Sequence, residues 1–227
     1  MARKHNSVKN PGHVHEPLKL EDDTLYGFYS FSNHTGLIFQ LIKYAALHSN
    51  EAHREIAAKL KENPVGSQNF KDTWKRLGIS VTKEFGNLQD EFAKFKFYDY
   101  AVKSLELSSY NVEDRQHTDA LKAVVFSCAV RFQSLRITTL FAEVCTRLRK
   151  TNLAQIDDAY YDDEVISEIY DFLIEECDAA SPTFFGFYRS PNGWIIGSLD
   201  AVAFLRSCFA RERADALGML TGHPILL

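Results

Sequence analysis

The sequence predicts a mainly α fold (α+β) with a small β-hairpin or sheet near the N-terminus. Apolar residues recur at helical spacing through most of the chain after residue 36. A period-2 pattern, typical of a strand, is strong only at Leu25–Ser32. With 45% hydrophobic and 13% aromatic residues, 227 residues suffice to build one sizeable core.

The first two dozen residues are polar and differ in composition from everything that follows. They carry Pro11 and Pro17 and end in an acidic cluster at residues 21–23. We therefore interpret residues 1–24 as a polar N-terminal arm and residues 25–227 as a single helical domain.

The segment LYGFYSFS, from Leu25 to Ser32, is rich in aromatic residues, and its residues alternate with a period of two. It is predicted to form one strand. The aromatic rings of this segment could line a sugar-binding cleft, or alternate ones could face the core. These rings belong to Tyr26, Phe28, Tyr29 and Phe31.

A buried helix is predicted to start directly after the strand, with Thr35 as its cap. The helix that follows is predicted to end before Pro64, and the one that begins at Thr118 has a wide apolar face that places it centrally. A turn is expected at residues 191–193. Further helical patterns cover Glu51–Glu62, Asn69–Leu77, Thr82–Leu105, Thr118–Phe132, Leu135–Lys150, Asp162–Cys177 and Ser198–Leu217.

Composition and charge exclude several classes of partner and compartment. With 26 Lys+Arg against 30 Asp+Glu the net charge is −4, so we expect no nucleic acid partner. No apolar run is long enough for a membrane span, and the N-terminus lacks the apolar core of a signal peptide. The four cysteines fall within apolar helical patterns and are predicted to be reduced core residues: Cys128, Cys145, Cys177 and Cys208.

Common catalytic motifs are absent from the sequence. No phosphate-binding G-x-x-x-x-G-K-[ST] or dinucleotide-binding G-x-G-x-x-G segment occurs. Neither H-E-x-x-H nor G-x-S-x-G occurs, which argues against zinc proteases and α/β-hydrolases. We predict that the chain needs no cofactor.

Three groups of polar residues could hold a ligand, and each also has a simpler explanation. Histidines in the arm could bind a metal ion, but a solvated tail explains them and no metal site is predicted; they are His5, His13 and His15. Four aspartates could gather around a divalent cation or form a solvated helix N-terminus; they are Asp157, Asp158, Asp162 and Asp163. Near the C-terminus, Arg206 and Arg213 could grip an anion or form ion pairs within their helix, where Glu212 also lies.

The segment LYGFYSFSNHTG, from Leu25 to Gly36, resembles a strand motif of a known family. The family comprises lysozyme-like domains of phage tail proteins and of spike-associated proteins in contractile injection systems, and it is distantly similar to chitosanases. The resemblance extends from Leu25 to Leu217 through segments that keep the family's order. These are FKDTWKRL from Phe70, FGNLQDEF from Phe85, ALKAVVFSCAVRFQ from Ala120, DDEVISEIYDFL from Asp162 and FLRSCFARERADAL from Phe204.

This resemblance implies a lysozyme-like helical domain that cleaves the glycan strands of peptidoglycan. Its general acid would be a glutamate upstream of the strand motif, and the upstream glutamates here are Glu16, the first choice, and Glu21. At the family's usual spacing the chain has Lys9 and Asn10 instead. The resemblance assigns glycan binding to Tyr26, Tyr29, Ser30, Asn33 and Thr35, with Ser30 in place of the motif's glutamine.

A second interpretation follows from the same departures, which include the loss of the family's glycine-rich loop. The chain would then be a catalytically degenerate lysozyme-like protein with a structural role in a virion or injection apparatus. Its partner would be a protein bound through the N-terminal arm, whereas an active enzyme would bind peptidoglycan glycan. Either interpretation places the chain in the bacterial cytoplasm or a phage virion, without a signal peptide.

Overall fold

The computed structural model describes residues 9–16, 23–179, 184, 189–190, 193–194 and 199–222, and these are mostly helical. A small antiparallel sheet of three strands lies near the N-terminus. The predicted fold class is therefore confirmed. In this described part of the chain, no helix has the length and apolar character needed to cross a membrane.

The N-terminal sheet consists of β1 (Val14–His15), β2 (Leu25–Tyr26) and β3 (Phe31–Ser32). The central strand β2 pairs with both neighbours, so that Tyr26 lies opposite Val14 on one side and Phe31 on the other. Part of the predicted arm is therefore hydrogen-bonded into the sheet.

The prediction of one continuous strand over Leu25–Ser32 is wrong. Residues 27–30 form a turn between β2 and β3, with positive φ angles of 71° at Gly27 and 52° at Ser30. A side chain at Gly27 would meet the amide oxygen of Gln89 at 2.2 Å from its Cβ. A glycine is needed there both for its φ angle and for this close contact.

The chain divides into two compact units, an N-terminal unit within Asn6–Lys96 and a C-terminal unit within Phe97–Leu227. In the N-terminal unit, Asn50 and Ser67 cap their helices by accepting bonds from Ala52 and Phe70 N–H. The predicted cap at Thr35 is wrong, because Gly36 precedes the first helix with φ 72°. The helices of this unit are α1 (Leu37–Leu47), α2 (Glu51–Lys61), α3 (Gln68–Ser80) and α4 (Thr82–Ala93).

Aromatic side chains fill the core of the N-terminal unit. The ring of Tyr26 packs edge-on against Phe70 and Trp74, and Trp74 packs against Phe85. Each of these side chains is fully buried. The rings hold the sheet against α3 and α4, and such pairs stabilise a core beyond their area of burial.

The predicted helix Thr82–Leu105 is interrupted, because a π-helical segment at Lys94–Tyr98 separates α4 from the next α-helix. Short 3₁₀ turns lie at Ser134–Arg136, Leu153–Gln155 and Ala159–Tyr161. The C-terminal unit contains α5 (Asp99–Glu106), α6 (Asp119–Phe132), α7 (Ile137–Arg147), α8 (Asp162–Asp178), β4 (Arg189–Ser190), β5 (Gly193–Trp194) and α9 (Leu199–Leu220).

Helix α6 is the hub of the C-terminal unit. It contacts α5, α7, α8 and α9, and most of its side chains are buried. The Thr118 side chain caps it by accepting a bond from Leu121 N–H. The predicted role of the cysteines is confirmed, since all four are buried and free. Burial raises the pKa of the Cys177 thiol to about 11, so this thiol is protonated at neutral pH.

The acidic residues at the start of α8 hold a buried histidine, His117. Its Nδ1 lies 2.7 Å from Asp162 Oδ1 and its Nε2 lies 3.0 Å from Asp157 Oδ1. Asp162 also accepts a bond from the Thr118 N–H, and Asp158 caps the turn at Tyr160. Asp163 accepts a bond from Glu164 N–H, so all four predicted candidates for a cation site have structural hydrogen bonds.

Stability is expected to depend on the protonation of His117. Burial lowers the pKa of this imidazole, but the bonds to Asp162 and Asp157 outweigh burial and raise the pKa above 6.5. The protonated imidazole then contributes about 2 kcal/mol to the free energy of unfolding. This contribution is complete below pH 6.5 and is lost as the pH rises through the pKa of His117 in the folded state. Melting temperatures of wild type and His117→Asn should differ most at the acidic end, and the difference should become smaller in alkaline buffer. The exposed His34 provides the control, since His34→Asn should follow the wild type at every pH.

The arginines of α9 pair with a neighbouring helix instead of their own. Arg206 binds Asp178 and Arg213 binds Asp171, and both aspartates lie on α8. The expected ion pairs within the helix are therefore wrong for these two residues. Of the predicted turn, residues 191 and 192 lie outside the described residues, while β4 and β5 on either side pair antiparallel.

A buried carboxylate connects α9 to α6 and α8. Glu212 is only 1% exposed and forms an ion pair with Arg131. It also accepts hydrogen bonds from Ser127 Oγ at 2.9 Å and from Tyr170 OH at 3.3 Å. These bonds compensate the cost of removing the carboxylate from water.

Candidate functional site

The turn between β3 and α1 is organised by Asp23, whose sequence signal is only the acidic cluster at residues 21–23. The Ser32 hydroxyl donates to one oxygen of this carboxylate. The backbone N–H groups of Asn33 and His34 donate to the other oxygen, each at 3.1 Å. Ser32 Oγ in turn accepts a bond from Thr35 N–H at 2.9 Å. A carboxylate is thus held rigidly among the residues predicted to bind glycan.

The predicted glycan-binding residues differ in how far they are open to solvent. Tyr26 is fully buried in the aromatic core, whereas Ser30 and Asn33 are partly exposed and Thr35 is exposed. The Tyr29 hydroxyl donates to Asp90 Oδ1 at 2.7 Å. The small polar residues of the set, not the tyrosines, are therefore open to solvent, with Asn33 next to Asp23 and Ser30 in the turn at the other end of the hairpin.

The buried hydroxyl of Tyr26 lacks a hydrogen-bond partner within the described part of the chain. Burial, followed by the nearby charges of Asp23 and Glu16, raises its pKa to about 12. This tyrosine is neutral under physiological conditions and packs as a core residue.

A buried glutamine holds the turn between β2 and β3 by a hydrogen bond to its backbone. Gln89, on α4, accepts a bond from Phe28 N–H at 2.9 Å and donates to the Pro11 carbonyl at 2.9 Å. The same carbonyl accepts a bond from Trp74 Nε1 at 2.9 Å. The only sequence signal for Gln89 is a polar residue on the apolar face of a predicted helix, next to Leu88.

The N-terminal segment also approaches α3 without any side chain between the two backbones. A Cβ on Gly78 would lie 2.3 Å from Gly12 Cα and 2.4 Å from Gly12 N. Only glycines permit this contact. It brings residues 10–16 of the predicted arm against the helix that carries Trp74.

The first-choice acid, Glu16, lies at the end of this segment and is 47% exposed on its side chain. Its carboxylate pairs with Lys75 at 3.3 Å and Lys71 at 3.4 Å. The hydrogen bond from Lys75 and the charge of Lys71 lower its pKa. A general acid needs the opposite shift. The second candidate, Glu21, lies outside the described residues.

An apolar groove on the N-terminal unit lies between α1 and α2. Its walls include Phe39, Leu47 and Leu60, with Lys43 and Lys61 at the edge. Its lining contains no carboxylate. The paired carboxylates that glycoside hydrolysis ordinarily uses are therefore not found among its described lining residues.

Histidines from two places in the sequence could bind a metal. In the arm, His13 and His15 are exposed, and His5 lies outside the described residues. A tighter group, which the sequence did not reveal, brings together His48, His53 and Glu91.

The chain matches the family described as type VI secretion system spike protein VgrG3-like, C-terminal, over residues 19–186. This range covers most of the sequence. The chain belongs to this family. The predicted resemblance to spike-associated proteins of injection systems is confirmed at that level.

The VgrG3-like chain also shares its fold with solved chitosanase structures. Native chitosanase from Bacillus subtilis MY002 aligns with a TM-score of 0.55 and 17% identity, over 95% of this chain and 89% of that one. A mutant of the same chitosanase, complexed with 6 GlcN, aligns over the same shares with a TM-score of 0.52 and 16% identity. A search of curated proteins finds no match. The VgrG3-like chain therefore has a chitosanase-like fold.

The range matched by the VgrG3-like family bears on the two candidate acids. It begins at residue 19, so that it includes Glu21 and Asp23 but leaves out Glu16. The same range includes every residue predicted to bind glycan.

Proposed function

We propose that this VgrG3-like chain is a muramidase-type glycoside hydrolase that acts on the glycan strands of peptidoglycan. The observation that carries the proposal is membership of an injection-spike family combined with a chitosanase-like fold. A chitosanase of this fold has been crystallised with 6 GlcN, and peptidoglycan strands are likewise polymers of amino sugars. In this proposal residues 25–227 form the lysozyme-like helical domain, and the arm, residues 1–24, supplies the carboxylates of the site.

The general acid is assigned to Glu21. Protonating a glycosidic oxygen requires a carboxyl group whose pKa is raised, and the lysines beside Glu16 lower the pKa of that residue. Glu21 is the other glutamate upstream of β2, and it lies within the family match.

The second carboxylate is assigned to Asp23. Glycoside hydrolysis uses one carboxyl group as acid and another as base or nucleophile. The bonds to Asp23 from Ser32, Asn33 and His34 fix its position, as a preorganised catalytic group requires.

Glycan binding is assigned to the polar surface around the hairpin turns. Ser30, Asn33 and Thr35 are open to solvent and can hydrogen-bond sugar hydroxyls, and Asn33 also binds Asp23 through its backbone N–H. Tyr26 and Tyr29 contribute indirectly in this proposal, since one packs in the core and the other binds Asp90.

Substitution Glu21→Gln is expected to lower the release of soluble glycan fragments from purified peptidoglycan by about 10²–10⁴-fold, because general acid catalysis contributes that much. The matched control is Glu16→Gln, which should keep wild-type release. Fragment release should be quantified by chromatography across a broad pH range, with folding checked by circular dichroism. Equal losses in both variants, or a loss confined to Glu16→Gln, would contradict the assignment.

A second candidate is a degenerate domain with a structural role in an injection apparatus or virion. The ion pairs of Glu16 favour it, because they turn one of the two upstream glutamates into a surface contact. The partner would then be a spike protein, bound through the N-terminal arm. Absence of fragment release from the wild type at every pH, together with co-purification with a spike protein, would support this candidate over the enzyme.

A further inference from the structure

Three potential metal ligands from separate helices meet on the N-terminal unit. His48 directly follows α1, His53 lies in the first turns of α2, and Glu91 lies near the end of α4. One ligand atom from each side chain lies within 4.8 Å of the other two. Imidazole nitrogen with carboxylate oxygen is a donor set that suits Zn²⁺.

The spacing of the donor atoms suits a tetrahedral ion. The Nδ1 atoms of His48 and His53 lie 3.2 Å apart, and Glu91 Oε2 lies 3.7 Å from His53 Nδ1. Ligands about 2.0–2.1 Å from a tetrahedral Zn²⁺ lie about 3.3 Å from one another. Two nitrogens at that distance share either a proton or a metal ion.

The surroundings of the group leave room for a bound cation. His53 is 1% exposed, whereas the side chains of His48 and Glu91 are 25% and 45% exposed, so an ion between them can be reached from solvent. Arg54 is the neighbouring cation, and its guanidinium binds the backbone carbonyls of His48 and Ser49.

We infer that His48, His53 and Glu91 form a Zn²⁺ site with three protein ligands. The ion replaces the proton between the two Nδ1 atoms, and the partly exposed Glu91 leaves room for a water as fourth ligand. His48 Nε2 lies 3.3 Å from Glu91 Oε2, so the carboxylate is adjacent to both imidazoles. The site joins the ends of α1 and α4 to the start of α2.

Two features of the site limit its affinity. Asn50 N–H donates to His48 Nδ1 at 3.1 Å and must turn to water when the ion binds. The buried Nε2 of His53 has no hydrogen-bond partner among the described residues, and it carries the proton in the metal-bound form. We therefore expect micromolar binding, tighter at higher pH because protons compete with the ion.

The test is calorimetric titration of the EDTA-treated full chain with Zn²⁺, followed by visible absorption of the Co²⁺ form. Wild type should bind one ion, show the bands of tetrahedral Co²⁺, and melt at a higher temperature with Zn²⁺. Glu91→Gln and His48→Gln alter partly exposed residues and should weaken binding by about tenfold or more.

Controls separate this site from the histidines of the arm. Glu84→Gln changes an exposed carboxylate on the same helix as Glu91, and it should leave binding unchanged. The double variant His13→Ala/His15→Ala should also retain the site. Lack of Zn²⁺ binding by the wild type, or binding that persists in Glu91→Gln and His48→Gln and disappears without His13 and His15, would overturn the inference.

Discussion

Substitution Glu212→Ala is expected to lower the free energy of unfolding by about 3–5 kcal/mol, because it breaks a buried ion pair by removing one partner. The carboxylate is 1% exposed and binds Arg131, Ser127 and Tyr170 on two other helices. Thermal and urea denaturation, followed by circular dichroism, would measure the loss.

The same helix pair supplies a control for this prediction. Asp171 pairs with Arg213 between α8 and α9, but both side chains are more than a third exposed. Asp171→Ala should therefore cost less than about 1 kcal/mol. Should Glu212→Ala fail to fold, Glu212→Gln keeps the shape and removes the charge, and an intermediate loss is expected. Equal losses of unfolding free energy in Glu212→Ala and Asp171→Ala would contradict the prediction, because burial would then not determine the cost of breaking each ion pair.

Substitution Gly78→Ala is expected to destabilise the chain by about 2–3 kcal/mol, although alanine is the better helix former by about 1 kcal/mol. The new Cβ would lie 2.3 Å from Gly12 Cα, and a backbone cannot yield as a flexible side chain can. Melting temperature in a scanning calorimeter measures the change.

Gly218 provides the opposite expectation on another helix. A Cβ there meets no atom within 4 Å, so Gly218→Ala should raise stability by about 0.5–1 kcal/mol. A gain in both variants would mean that residues 10–16 do not press against α3 as described.

Local sequence signals predicted most of the helices, because apolar spacing and caps act within one or two turns. Thr118 caps α6 at its predicted start, and Pro64 follows the end of α2. The alternation at Leu25–Ser32 predicts one continuous strand, because alternation does not reveal a turn in which Gly27 and Ser30 have positive φ angles. The π-helical segment after α4 likewise has no distinct period.

The candidate site was predictable only in its location. A resemblance centred on Leu25–Gly36 drew attention to the turn that Asp23 organises, but the bonds of this carboxylate depend on three-dimensional proximity. Gln89 and the cluster at His48 depend on contacts between distant segments, as does Glu212, whose bond to Ser127 spans 85 residues. The spacing of residue types along the sequence does not show which of these distant residues are in contact.

The Pro11 carbonyl is part of the folded N-terminal unit although it lies outside the range that matches the family. The family match starts at residue 19, yet Trp74 and Gln89 direct buried N–H groups at a carbonyl eight residues earlier. A fragment trimmed to the matched range would lose strand β1, and it would expose the surface of α3 around Gly78 that Gly12 covers. Sequence similarity to the family therefore begins at residue 19, whereas the hydrogen bonds that stabilise the N-terminal unit extend back to Pro11.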